Sequence, residues 1–234
     1  MLDHKLKREL VLTRTERRSL NETVYAKLKE AVIGGKLRPG DKLVEWELAS
    51  SLGVSRSPIR EAIYRLEHEG LALVKPRVGA FVTEITAHDV EESYDICGAL
   101  EVLAVRLALK RLDSERSALL QQYVEQMVAS ARGDDKEGEL EADSCFHSAL
   151  IEFSDRRLLK MAFQVVLPTV QRSRTLHYLS FLSSSDQHDF AKEHVRLLEA
   201  INTGDESKAT EAVTLHWKTM KQRIMQRLAS KLPS

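Results

Sequence analysis

The stretch Gly53-Val54-Ser55-Arg56-Ser57-Pro58-Ile59-Arg60-Glu61-Ala62-Ile63-Tyr64-Arg65-Leu66-Glu67-His68-Glu69-Gly70-Leu71 contains a helix with both of its ends written into it. Ser57 is a good acceptor for the unpaired donors of a first turn, and Pro58 suits a position that needs no backbone donor. The spacing therefore predicts a helix beginning at Pro58. Ile59, Ala62, Ile63 and Leu66 recur at steps of three and four and form one apolar stripe, with Arg56, Arg60, Tyr64 and His68 off it. Gly70 supplies the usual stop. Upstream, residues from about 44 to 52 read as a shorter helix, joined to the next by a turn containing Gly53, which is a helix-turn-helix layout. Downstream, Leu71-Ala72-Leu73-Val74, the turn Lys75-Pro76-Arg77-Val78-Gly79 and Ala80-Phe81-Val82-Thr83 read as two short strands with a basic tip. A helix backed by apolar residues, open on its arginine side and followed by a basic hairpin, reads as a DNA-recognition element with a wing.

Lys36-Leu37-Arg38-Pro39-Gly40-Asp41-Lys42-Leu43, Glu47-Leu48-Ala49, the run Val54 to Ala62 and Glu69-Gly70-Leu71 together resemble the winged helix-turn-helix of the GntR family of bacterial repressors. The resemblance spans about Leu20 to Thr83. It implies that Arg56 and Arg60 touch an operator with Ser55 and Ser57 beside them, and that the wing, here Lys75, Arg77 and Gly79, enters the minor groove; Arg38 is added to this set. An arginine fork matches guanine O6 and N7 or a phosphate, and a helix N-terminus favours phosphate oxygens. Which arginine reads a base stays open.

The rest of the composition is that of a soluble protein of one or two domains, with 234 residues, 43% of them apolar and 30% charged. Net charge is zero, which is unexpected for a DNA binder until the chain is divided after Thr83. The first part carries 16 Lys plus Arg against 11 Asp plus Glu, the remainder 19 against 24. A basic reading head on an acidic sensor has this split. Cys97 and Cys145 are too few for a disulfide scaffold and lack paired metal spacing, so a reducing interior is expected. No apolar run reaches membrane-spanning length and the start lacks a secretory core, which predicts a cytoplasmic protein. Residues 1–18 read as a polar, basic arm.

Beyond Thr83 strand alternation stops and heptad-like apolar patterns take over. After the winged head (19–83) and a short linker (84–88), residues 89–232 are expected to form an all-α antiparallel bundle, making the whole chain mainly α. Thr86 and Asp89 open a helix reaching about Leu112; Ser114 opens another to about Arg132; a third covers about Lys136 to Phe153. A fourth and a fifth fall around Arg157 to Phe181 with Pro168 as the bend. After the break Ser183-Ser184-Ser185, two more cover Asp186 to Asn202 and Asp205 to Leu232.

Four residues of this bundle are good metal ligands at positions that face inward. Asp143 and His147 are four apart and share a helix face with Phe146 and Leu150; His194 lies among Phe190, Ala191, Leu197 and Leu198; His216 lies among Ala212, Val213 and Met220. A lone inward histidine is commonly a hydrogen-bonded core residue. Four such groups on three helices read instead as a site for one divalent transition ion per subunit, zinc first, with nickel, manganese or iron as alternatives.

Asp143-Ser144-Cys145-Phe146-His147, Glu193-His194, Ala200-Ile201, Gly204-Asp205, Ala209 and His216 resemble the FCD effector domain of the FadR-type branch, over nearly all of Thr86 to Leu228. The resemblance implies that the matching aspartate and three histidines hold a metal and that a small carboxylate effector completes its coordination. Many relatives carry an arginine where this chain has Cys97, four residues before Glu101. Arg172 or Arg174 could supply that charge; equally, the metal alone could anchor the ligand. Cys97 itself could be a fifth ligand, a redox sensor or an inert core thiol. His177 and Tyr178 could border the same cavity.

Two functions fit. One is a homodimeric, ligand-responsive regulator, a repressor that reads a near-palindromic operator. The other is a metal-dependent hydrolase or lyase with an appended DNA-binding domain. A catalytic base separates them: no HExxH segment occurs, and beyond Asp143 only Glu101 is left as a candidate carboxylate. The regulator, not an enzyme, is the reading preferred.

Overall fold

The computed structural model describes residues 14–181 and 184–229. Residues 1–13 of the expected arm, Ser183 of the expected break and Leu232 lie outside them, as do the side chains of His177 and Tyr178. The chain divides after Glu84 into two compact units, each with its own core.

The first unit runs α1 (Arg14–Ile33), β1 (Lys42–Leu43), α2 (Glu45–Leu52), α3 (Arg56–His68), β2 (Ala72–Lys75) and β3 (Gly79–Val82). Helix α1 begins at Arg14, inside the stretch expected to be an arm, and its Val24, Leu28 and Val32 are buried against α3. The buried face of α3 is Pro58, Ile59, Ala62, Ile63 and Leu66, while Arg56, Arg60 and Tyr64 are exposed. Its start differs from the expectation: Ser55 occupies the cap position in extended conformation and Arg56 is the first helical residue. Proline is tolerated through the first turn because those donors have no intrahelical acceptor, so Pro58 did not mark the first residue. Gly53 (φ 66°) and Gly70 (φ 72°) end α2 and α3 in the left-handed region, where a side chain is strained. The sheet is antiparallel in the order β1-β3-β2, with Ala72 opposite Val82 and Leu43 opposite Ala80. Strand β1 was not anticipated, since two residues carry no readable alternation.

The second unit consists of α4 (Ala87–Ala108) with a 3-10 turn at Leu109–Arg111, α5 (Ser114–Arg132), α6 (Lys136–Phe153), α7 (Arg157–Phe181), α8 (Ser184–Asn202) and α9 (Glu206–Ala229). Local chemistry explains the starts. Thr86 and Asp89 form a reciprocal capping box, and Asp113, Asp135 and Asp205 accept from the backbone of Arg116, Gly138 and Ser207. Helix α4 therefore begins inside the stretch expected to be a linker. Helix α7 is one helix where two were expected: it carries Pro168 internally, with Phe163 and Val170 buried on either side. Proline removes one backbone bond and bends a helix, and packing on both flanks keeps the two halves in one element. Helix α4 packs on α6, α7 and α9, and α5 packs on α6 and α8. Tyr94, Phe146, Phe163, Phe190 and Leu197 form the fully buried centre.

Candidate metal centre and nucleic-acid face

Helix α6 brings Asp143 and His147 to the bundle interior, α8 brings His194 and α9 brings His216; one donor atom from each lies within 4.8 Å of the others, and all four residues are buried. Asp143 Oδ1 is 3.1 Å from His194 Nε2 and 3.4 Å from His147 Nε2, while the two Nε2 atoms are 3.4 Å apart. Despite this crowding, Asp143 Oδ1 and both ring nitrogens of His216 make no hydrogen bond among the described residues. A buried acceptor left unbonded is costly, so the unbonded Asp143 Oδ1 and His216 nitrogens, converging with the His147 and His194 rings, fit a shared cation.

The outer partners fix the rings. A carboxylate and a carbonyl can only accept, so Glu101 (2.7 and 2.8 Å) and the Phe190 carbonyl (3.1 Å) take the Nδ1 hydrogens of His147 and His194, leaving each Nε2 toward the cluster. Burial opposes a charge on His147, but the Glu101 and Asp143 carboxylates outweigh it and raise the imidazole to about 9. Burial, then the neighbouring His194 and His147, pushes His216 well below the usual histidine range and keeps it neutral. Asp143 is held well below the usual carboxylate range because the Arg174 and His147 charges overcome its burial. Sequence reasoning weighed Glu101 only as a base and missed its bond to His147, which joins residues 46 positions apart on different helices.

Arg174 is buried on α7, donates from Nη1 to Asp143 Oδ2 and stacks 5.1 Å from the Trp217 ring centre. Arg172 is also buried; burial lowers it to about 10, and Asp89 at the start of α4 is its charged neighbour. Cys97 is fully buried one turn before Glu101, and burial, then the Glu101 charge, pushes the thiol up to about 12. A neutral thiol is a poor metal ligand and a slow redox partner. Cys145 is half-buried and outside the cluster.

On the first unit, Ser55, Arg56, Ser57 and Arg60 lie exposed at the start of α3, and Arg38 lies exposed before β1. Lys75 and Arg77 are exposed at the wing, where Arg77 adopts φ 63° and Val78 N–H donates to the Lys75 carbonyl at 3.1 Å. Gly79 has φ 131°, and a side chain there would meet Lys42 Cε at 2.9 Å. A groove of about 570 Å³ runs between α2, α3 and the wing, lined by Glu45, Trp46, Arg56, Arg60, Tyr64 and Arg77 among others.

Residues 20–82 match the bacterial regulatory proteins of the gntR family, and residues 92–219 match the FCD domain. The chain is 33% identical over 194 residues to the uncharacterized HTH-type transcriptional regulator YdhC of Bacillus subtilis, covering 82% of this chain and 85% of that protein. It is 26% identical over 207 residues to the HTH-type transcriptional repressor RspR of Escherichia coli K12, covering 88% and 90%. Among solved structures, E. coli McbR/YncC is similar with a TM-score of 0.77 at 24% identity, over 91% of this chain and 98% of that one. That structural likeness concerns the fold, a winged helix-turn-helix followed by a helical bundle. No helix among the described residues is long and apolar enough to cross a membrane.

Proposed function

The chain belongs to the GntR family of transcriptional regulators, with an FCD domain, and from this premise we propose that it is a repressor which binds a near-palindromic operator as a homodimer and senses a small organic acid at a metal in the bundle. The observation that carries the sensing half is the buried group Asp143, His147, His194 and His216, whose donor atoms converge while Asp143 Oδ1 and both His216 ring nitrogens make no hydrogen bond among the described residues. Those four residues would hold the ion through Asp143 Oδ1 and imidazole nitrogens. The bound ion, zinc before nickel, manganese or iron, supplies a Lewis-acid position for an effector oxygen. Glu101 and the Phe190 carbonyl hold two of the rings in place. Arg174, paired with the cluster residue Asp143, lies at the site and provides the positive charge for the effector carboxylate; Arg172, whose charged neighbour Asp89 is outside the cluster, and the neutral thiol of Cys97 are weaker candidates.

On the output side, Arg56 and Arg60 are the groups for base edges or phosphates, flanked by Ser55 and Ser57 and joined by Arg38, with the wing residues Lys75, Arg77 and Gly79 entering the minor groove. Leu158, Met161 and Val165 are exposed at 68%, 50% and 76% along α7, and Ile96 and Leu103 are exposed on α4, the helix it packs against. Apolar exposure of this kind is what a second copy covers. A regulator that reads the chromosome works in the cytoplasm. The hydrolase or lyase reading gains nothing from the geometry, because Glu101 is committed to His147 Nδ1.

Elemental analysis of protein purified without chelator is expected to give one divalent transition ion per chain, lost in His194→Ala. Absence of stoichiometric metal, together with unchanged operator affinity in that variant, sinks the sensing half. For the head, Arg60→Ala should cost roughly 1 to 3 kcal/mol of operator affinity if the fork holds a guanine. Wild-type affinity in a gel-shift titration at fixed salt refutes that assignment.

A further inference from the structure

Glu45 opens α2, and its carboxylate sits between the two arginines at the start of α3. Arg56 donates to Oε2 from Nε (3.3 Å) and Nη2 (3.0 Å), while Arg60 donates from Nε to Oε1 (2.9 Å) and from Nη2 to Oε2 (2.8 Å). Each guanidinium thus places its Nε–Nη2 edge on one carboxylate and keeps Nη1 and the outer Nη2 hydrogen. The arginine side chains remain 63% and 53% exposed in this arrangement, and Glu45 remains 25% exposed.

A solvent-exposed arginine ordinarily loses rotamer freedom when it meets a base, and it grips a phosphate of any sequence almost as readily. A carboxylate that fixes the fork beforehand lowers the ordering cost for one geometry and raises the cost of every other. It also cancels one of two adjacent positive charges, which weakens attraction to random phosphates. The Arg60 and Arg56 bonds hold the Glu45 carboxyl at about 2, so it is ionised at neutral pH.

We propose that Glu45 is the specificity-determining positioning residue of this head, aiming Arg56 and Arg60 at base edges and suppressing their sequence-independent grip on DNA. The inference rests on the reading of Arg56 and Arg60 as DNA contacts.

The test uses full-length protein and an operator obtained by selection of wild-type binders from random duplexes. Affinity is titrated at several salt concentrations on that operator, on versions with single G·C pairs changed to A·T, and on random duplex. In Glu45→Gln, random-duplex affinity is expected to rise several-fold, and the penalty for losing the contacted guanine to shrink by roughly tenfold. The slope of log K against log salt should steepen by about one phosphate equivalent. Glu45→Asp keeps the charge with a shorter reach, so it should lose discrimination while random-duplex affinity stays low. If Arg56→Ala and Arg60→Ala bind operator like wild type, the underlying reading fails. If those variants bind weakly but Glu45→Gln keeps the wild-type discrimination and salt slope, the reading stands and the proposal is overturned. A uniform loss on all duplexes in Glu45→Gln, with Glu45→Asp unaffected, overturns it as well, because a structural role alone behaves in that way.

Discussion

At the scale of single residues, the bundle holds one ionisable group that the proposed metal chemistry leaves aside. Glu139 is fully buried one turn before Asp143; Gln187 Nε2 donates to its Oε2 at 3.3 Å, and Oε1 has no hydrogen-bond partner among the described residues. Burial raises its carboxyl to about 8. Between the unfolded value of 4.5 and the folded value of about 8 the native chain therefore holds the proton more tightly than the denatured one. Stability from this group is complete below the lower value, falls as pH rises through the window, and levels off above it. Thermal unfolding of metal-free protein should show the gap in Tm between Glu139→Gln and wild type moving in favour of the variant from pH 5 to pH 8. A gap of the same size at both pH values means that Glu139 ionises freely in the fold. None of this was readable from the sequence, where Glu139 is one acid among several at the start of a helix.

At the scale of elements, α4 and α9 approach closely at Gly98. A methyl group there would lie 3.2 Å from Trp217 Cβ, and the Trp217 ring is 5.2 Å from the His147 ring and 6.0 Å from that of His216. Gly98→Val should therefore force α9 outward, costing about 1 to 3 kcal/mol and lowering metal content with it. An unchanged urea midpoint with full metal occupancy contradicts that account. Elements were legible where a local signal was complete: α5 at Ser114–Arg132 and α6 at Lys136–Phe153 have the bounds read from the sequence, and the structure shows Asp113 and Asp135 as their caps. They were misread where one residue has two structural uses. Pro58 fits the first turn at more than one position, and Pro168 sits inside a helix without ending it. The inward faces of α6, α8 and α9 follow from helical spacing, which is why Asp143, His147, His194 and His216 could be picked out together. Their partners Glu101 and Arg174, and Glu45 beside Arg56, depend on which helices meet, and spacing within one helix does not carry that information.

At the scale of the whole molecule, a basic head and an acidic bundle are joined in one chain, and the proposed control of the first by the second would be a coupling free energy between two sites. Such energies run about 1 to 3 kcal/mol, or roughly 5- to 150-fold in affinity, and they are reciprocal. If the metal biases the dimer toward one DNA-binding geometry, operator must bias the bundle toward or away from metal by the same factor. A metal that only stabilises the bundle raises its unfolding free energy, by about 2.7 kcal/mol at a free concentration 100 times its Kd, without that symmetry. Full-length protein stripped with chelator and reloaded with Zn(II) separates the two cases. Operator Kd should differ between the stripped and loaded forms by a factor within the range above. Zn(II) affinity, measured by competition with a chelating dye at saturating operator, should shift in the matching direction by that same factor. Equal operator Kd in both forms, with thermal stability restored by Zn(II), assigns the metal to holding α6, α8 and α9 together and removes it from the proposed signal to the head.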